Sequence, residues 1–139
     1  MRDLYGVFAR RTDSVYAVGN GNSNVFNAGG PLVVLHYNGR AWTKVAEGEY
    51  GYGTEPSQQI AADGHGGFWL PMPGTVRASS YIVHYSGGRL APARLPVSAA
   101  VINIVSVASI PGTSQALAAG FTRVATGSDA VILQYSRAR

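Results

Sequence analysis

Three observations predict an all-β protein. Short apolar runs rich in Val, Ile and aromatic residues recur along the chain without helical spacing, and such residues suit a pleated, half-buried surface. Eighteen glycines among 139 residues are near twice the ordinary share of about 7%, and they stand as punctuation between the runs, where turns need them. Most informative, the runs repeat in a fixed internal order.

The repeat is read most easily from its third run. Val33-Val34-Leu35-His36-Tyr37-Asn38-Gly39-Arg40 returns as Tyr81-Ile82-Val83-His84-Tyr85-Ser86-Gly87-Gly88-Arg89, and again as Val131-Ile132-Leu133-Gln134-Tyr135-Ser136-Arg137. The offsets are 48 residues from His36 to His84 and 50 from His84 to Gln134. A second run precedes each copy: Val15-Tyr16-Ala17-Val18-Gly19, Phe68-Trp69-Leu70-Pro71 and Ala116-Leu117-Ala118-Ala119-Gly120. Before that lies a first run closed by a turn, in the order Gly6-Val7-Phe8-Ala9, Ile60-Ala61-Ala62 and Val105-Ser106-Val107-Ala108. A fourth run, Ala41-Trp42-Thr43-Lys44-Val45 or Leu90-Ala91-Pro92-Ala93-Arg94-Leu95, follows in the first two units only.

Four short strands in about 40 to 50 residues, joined by tight turns, are what one blade of a β-propeller requires. Asn38-Gly39 and Gly87-Gly88 supply the positive φ of a two-residue turn and tie the third strand to the fourth. The first strand is small and apolar, as crowding at a central axis demands, and Trp42 is placed to cover a seam between blades. The expected fold is therefore a β-propeller segment: one domain over residues 1–139, with blade one at 4–47, blade two at 57–96 and an incomplete blade three at 101–137.

Leu4-Tyr5-Gly6-Val7-Phe8-Ala9, Asp13-Ser14-Val15-Tyr16-Ala17-Val18-Gly19 and Leu35-His36-Tyr37-Asn38-Gly39-Arg40-Ala41-Trp42 together resemble the propeller repeats common in actinobacterial proteins. The likeness runs along essentially the whole chain and weakens in the third unit, where Gln134 stands for the histidine and no Gly follows Ser136. The resemblance implies a propeller with a binding or scaffolding role and brings no catalytic motif with it. Three blades cannot close a ring and would leave apolar blade faces in water. The expected partner is therefore either the remainder of a longer propeller or a second copy, for example in a six-bladed dimer.

Composition excludes several functions. The absence of cysteine removes disulfides, zinc-thiolate sites and thiol nucleophiles. Ten arginines and one lysine against seven acids give a net charge of +4, but only Arg10 and Arg11 are adjacent, so no basic face for nucleic acid is expected. No apolar run reaches the length of a membrane span. Residues 1–10 do not read as a signal peptide, because Asp3 and Gly6 interrupt them.

The titratable side chains have ordinary structural readings. His36 and His84 occupy one slot of successive units and are expected to hydrogen-bond within their own blades. Asp63 and His65 share a glycine-rich turn, and two ligands do not close a metal site. No metal or other cofactor is expected. The sialidase Asp-box lead is missing before Asn38-Gly39-Arg40-Ala41-Trp42, and Gly19-Asn20-Gly21 and Gly51-Tyr52-Gly53 precede no helix that could hold a phosphate.

Recognition is expected in the loops that a propeller gathers on one face, namely residues 20–30, 73–79 and 122–128 with the connections 48–59 and 97–100. Asn22, Asn24, Phe26, Asn27, Tyr50, Tyr52, Arg77 and Arg123 lie there. They combine stacking rings with directional donors, which suits a carbohydrate or a protein surface. The leading expectation is a non-enzymatic binding or scaffold module. A propeller glycosidase or lyase acting through Glu47, Glu49, Glu55 and Asp129 is the alternative, and a purely structural repeat is the third.

Overall fold

A computed structural model describes residues 3–21, 30–50, 59–72, 80–93, 102–124 and 126–136. These residues are all-β and form three antiparallel sheets in chain order, none of them closed. The first contains β1 (Asp3–Arg11), β2 (Ser14–Asn20), β3 (Leu32–Tyr37) and β4 (Trp42–Gly48), adjacent in that order. The second repeats the order with β5 (Ala61–Ala62), β6 (Phe68–Met72), β7 (Tyr81–Ser86) and β8 (Arg89–Ala93). The third has three strands, β9 (Ile102–Ser109), β10 (Gln115–Val124) and β11 (Gly127–Ser136), with β10 in the middle.

Strand alternation explains how the sheets meet. Successive side chains point to opposite faces, so Phe68, Leu70 and Met72 of β6 join Tyr16, Val18, Leu32 and Val34 of the first sheet in one core. Trp69 between them points the other way, into a second core with Ile102, Ile104, Val107, Ala116, Ala118, Leu133 and Tyr135 of the third sheet. The second sheet is thus covered on both faces, and every residue of β6 is buried.

Register places corresponding side chains alike. Tyr37 lies opposite Val15, Tyr85 opposite Phe68, and Tyr135 opposite Ala116. A bulge interrupts β1 opposite Gly19 and β9 opposite Gly120. There the neighbouring backbone comes so close that a Cβ on either glycine would lie 2.0 Å from the carbonyl oxygen of Asp3 or Asn103.

The first strands differ in burial: Leu4 and Val7 of β1 are 54% and 68% exposed, whereas Ala61 of β5 and Ile102, Ile104 and Val107 of β9 are buried against a neighbouring sheet. Two local expectations need correction. Among the described residues Trp42 covers no seam. It is 49% exposed and lies 5.4 Å from Tyr37, its register partner on a face of the first sheet that no other described sheet covers. Finally, 122–128 is not a loop. The ladder runs unbroken from Gln115–Ser136 to Val124–Gly127, so the connection is a tight hairpin turn.

The turn at 63–67 shows how closely neighbouring units fit. Gly64 adopts φ of +76°, and a Cβ there would stand 2.4 Å from the Thr113 carbonyl oxygen of the third sheet's turn. Gly64→Ala should therefore cost about 2 kcal/mol, combining left-handed strain with a displaced backbone contact. Chemical denaturation that shows no loss of stability would contradict this reading.

Candidate functional site

The ladders collect the inter-strand connections at corresponding ends of the three sheets. Asn20, Leu32 and Gly48 are neighbours at one end of the first sheet. Met72 and Tyr81 pair at the matching end of the second sheet, as do Val124 and Gly127 in the third. Backbone bonds stitch this end together. Gly21 N–H donates to the Pro31 carbonyl at 2.8 Å, and Ser80 N–H donates across to Ile102 at 2.7 Å. The Ser80 hydroxyl, buried, accepts from Ile104 N–H at 3.1 Å, so the second and third sheets are pinned where their connections emerge.

Of the expected recognition residues, Asn22, Asn24, Phe26, Asn27, Tyr52 and Arg77 lie outside the described residues, as does Glu55. The other two have definite places. Tyr50 is half-buried against the core between the first two sheets, and its hydroxyl donates to the Leu90 carbonyl at 3.1 Å. This ring therefore links the outer strands of two sheets. Arg123 is exposed near the hairpin end of β10, opposite Ser128. Asp129 is also exposed in the same hairpin, opposite Thr122.

Two open clefts flank the joint between the first and second sheets. One, of about 420 Å³, lies at the outer edge and is lined by Glu47, Glu49, Tyr50, Arg89 and Leu90 with Gly48 and Gly88. Glu47 is engaged there by an ion pair with Lys44. The other, of about 340 Å³, lies between Phe8, Ala9 and Arg10 of β1 and the 62–67 turn of the second sheet. The Arg10 guanidinium reaches the Gly66 carbonyl across it at 3.5 Å. Among the described residues, no three metal-ligating side chains converge.

The histidines hydrogen-bond inside their own sheets. Nε2 of His36 is 3.1 Å from the Ser14 hydroxyl, and Nε2 of His84 is 2.9 Å from the Asp63 carboxylate. Each ring also stacks on its register partner: His36 on Tyr16 at 4.5 Å and His84 on Trp69 at 4.0 Å. Asp63 is fully buried and its other oxygen accepts from the N–H groups of His65 and Gly67, both at 2.8 Å. Burial pushes the Asp63 pKa up. The bonds from His84, His65 and Gly67, with the His84 charge, outweigh it and hold the carboxyl below the ordinary 3.8. His65 is exposed, and its backbone N–H makes that bond.

The buried Asp63–His84 pair was not expected from sequence, although its parts were visible. An acid four residues ahead of Gly67 and a histidine in the repeated slot were the available signals. The third unit replaces this arrangement with an exposed Gln134–Gln115 bond of 2.9 Å. Tyr135 and Trp69 meet deeper in the same core at 6.0 Å, and burial pushes the Tyr135 phenol up to about 12. No helix is long and apolar enough to cross a membrane among the described residues. Comparison with protein-family models, curated proteins and solved structures finds no match for this chain.

Proposed function

We propose that the three sheets are successive blades of a β-propeller, and that the chain is a non-enzymatic binding or scaffold module. One observation carries the reading: like-ordered antiparallel sheets stack in chain order through repeated ring contacts. Tyr16 meets Tyr85 at 5.4 Å between the first two sheets, and Trp69 meets Tyr135 at 6.0 Å between the next two. Tyr16 and Trp69 hold equivalent register positions, as do Tyr85 and Tyr135. Stacking of nearest neighbours through one recurring interface is the construction of radial repeat folds.

A binding role agrees with how the polar groups are used. Ser14, His36, Asp63 and His84 are engaged in hydrogen bonds that hold turns to strands. The connections 20–30, 48–59 and 73–79 leave from corresponding ends of their sheets, so a ligand face fits there. Carbohydrate or protein is the ligand class that the Asn-rich and aromatic content of those connections favours. Tyr50 is better assigned to joining two sheets, which moves the test to Phe26 and Tyr52. The double variant Phe26→Ala/Tyr52→Ala should lose at least tenfold in affinity on a glycan array or in a protein pull-down, with its melting temperature kept. Undiminished binding would reject this face.

A further inference from the structure

We propose that a second copy of this chain docks head to tail, its first sheet covering the free face of the third. The inference rests on the blade reading above and deepens it. Each internal joint pairs the face that carries Tyr16 or Trp69 with the face that carries Tyr85 or Tyr135. Leu117, opposite Gln134, holds the same register position as Tyr16 opposite His36 and Trp69 opposite His84. Tyr37, opposite Val15, holds the position of Tyr85 and Tyr135. Thus the described residues leave one face of each kind without a covering sheet, oriented to continue the same joint.

Both faces expose large apolar side chains, set among the Lys44–Glu47 ion pair on the first sheet and the Gln115–Gln134 bond on the third. Leu117, Ile132 and Val105 on the third sheet are 41%, 75% and 58% exposed. On the first sheet Leu4, Val7 and Trp42 are 54%, 68% and 49% exposed. Concentrated apolar exposure of this kind marks an interaction surface. The occupant is a second copy because both halves of the recurring joint are on this one sequence, and each half already has its counterpart's chemistry inside the chain. The third joint would set Leu117 against Tyr37 of the second copy, where Tyr16 meets Tyr85 in the first. Two such head-to-tail joints close a two-fold ring of six sheets, whereas a face-to-same-face pairing would use only one kind of surface.

Light scattering on the 139-residue chain should give twice the 14.6 kDa of one chain. Val7→Asp disables the first-sheet face and Ile132→Asp disables the third-sheet face, both at exposed sites that spare the core. Each variant alone should run as a monomer, and mixing the two should restore dimers through the one intact joint. A monomeric unmodified chain overturns the proposal, and so does a dimer that survives either single variant, since that dimer would use one face twice or neither. Circular dichroism confirms that each variant stays folded. Ligand binding by the Phe26/Tyr52 variant and mass by light scattering are separate readouts, so failure of the docking and failure of the binding role are read separately.

Discussion

Asp63→Ala is expected to cost about 3–5 kcal/mol in equilibrium unfolding, because it strips a buried anion from three donors at once. The carboxylate has no exposure and lies 2.8 to 2.9 Å from His65 N–H, Gly67 N–H and His84 Nε2. Alanine leaves two backbone N–H groups in the turn without their acceptor and leaves the His84 ring held only by its stack on Trp69. The turn cannot readily reshape, since Gly64 abuts Thr113 and a Cβ on Gly67 would lie 2.0 Å from the Tyr85 carbonyl oxygen. The same site predicts an acid limb. The folded pKa of Asp63 lies below its ordinary 3.8. Its contribution is therefore fully present above that value and fades as the pH falls through the lower folded one. Asp63→Asn should flatten the stability profile below about pH 4 relative to the unmodified chain. Parallel acid limbs in the two proteins would show that Asp63 is not the group responsible.

The strand order was legible because burial writes itself into alternation. Phe68, Leu70 and Met72 face one core and Trp69 faces the other, and the register set by Tyr37, Tyr85 and Tyr135 follows the aligned runs of the sequence. The hairpin ending at Val124 and Gly127 was not legible, since Thr122, Arg123, Ser128 and Asp129 carry no apolar alternation. Only the backbone ladder defines the strands there. The Tyr50 contact was not legible for a different reason: its acceptor, the Leu90 carbonyl, is 40 residues away, so no local pattern reports it. Trp42 shows a third limit. A large ring in an outer strand reads as a seam filler, yet its face has no neighbouring sheet among the described residues. The candidate ligand connections were read from composition and from the expected gathering of loops on one face, and the ladders show them leaving corresponding ends of their sheets.

Phe68→Ala should cost about 3–5 kcal/mol, the range for deleting a fully buried aromatic ring that cannot be refilled. Phe68 has no exposure and sits 4.9 Å from Tyr85, 5.6 Å from Tyr16 and 6.2 Å from Phe8, so three rings from two sheets lose their common partner. The distribution of the loss is more informative than its size. Phe68 belongs to the core between the first and second sheets, and Trp69 beside it belongs to the core between the second and third. If stability is a sum of sheet terms and nearest-neighbour joints, as in repeat folds, the variant weakens one joint and leaves the other. Hydrogen exchange should then accelerate at amides of β2 and β3, while β9 and β10 keep more of their protection. Uniform acceleration through all three sheets would instead mean that the chain unfolds as a single cooperative unit. In that case Trp69→Ala would have to give the same exchange pattern as Phe68→Ala, despite removing a ring from the opposite core.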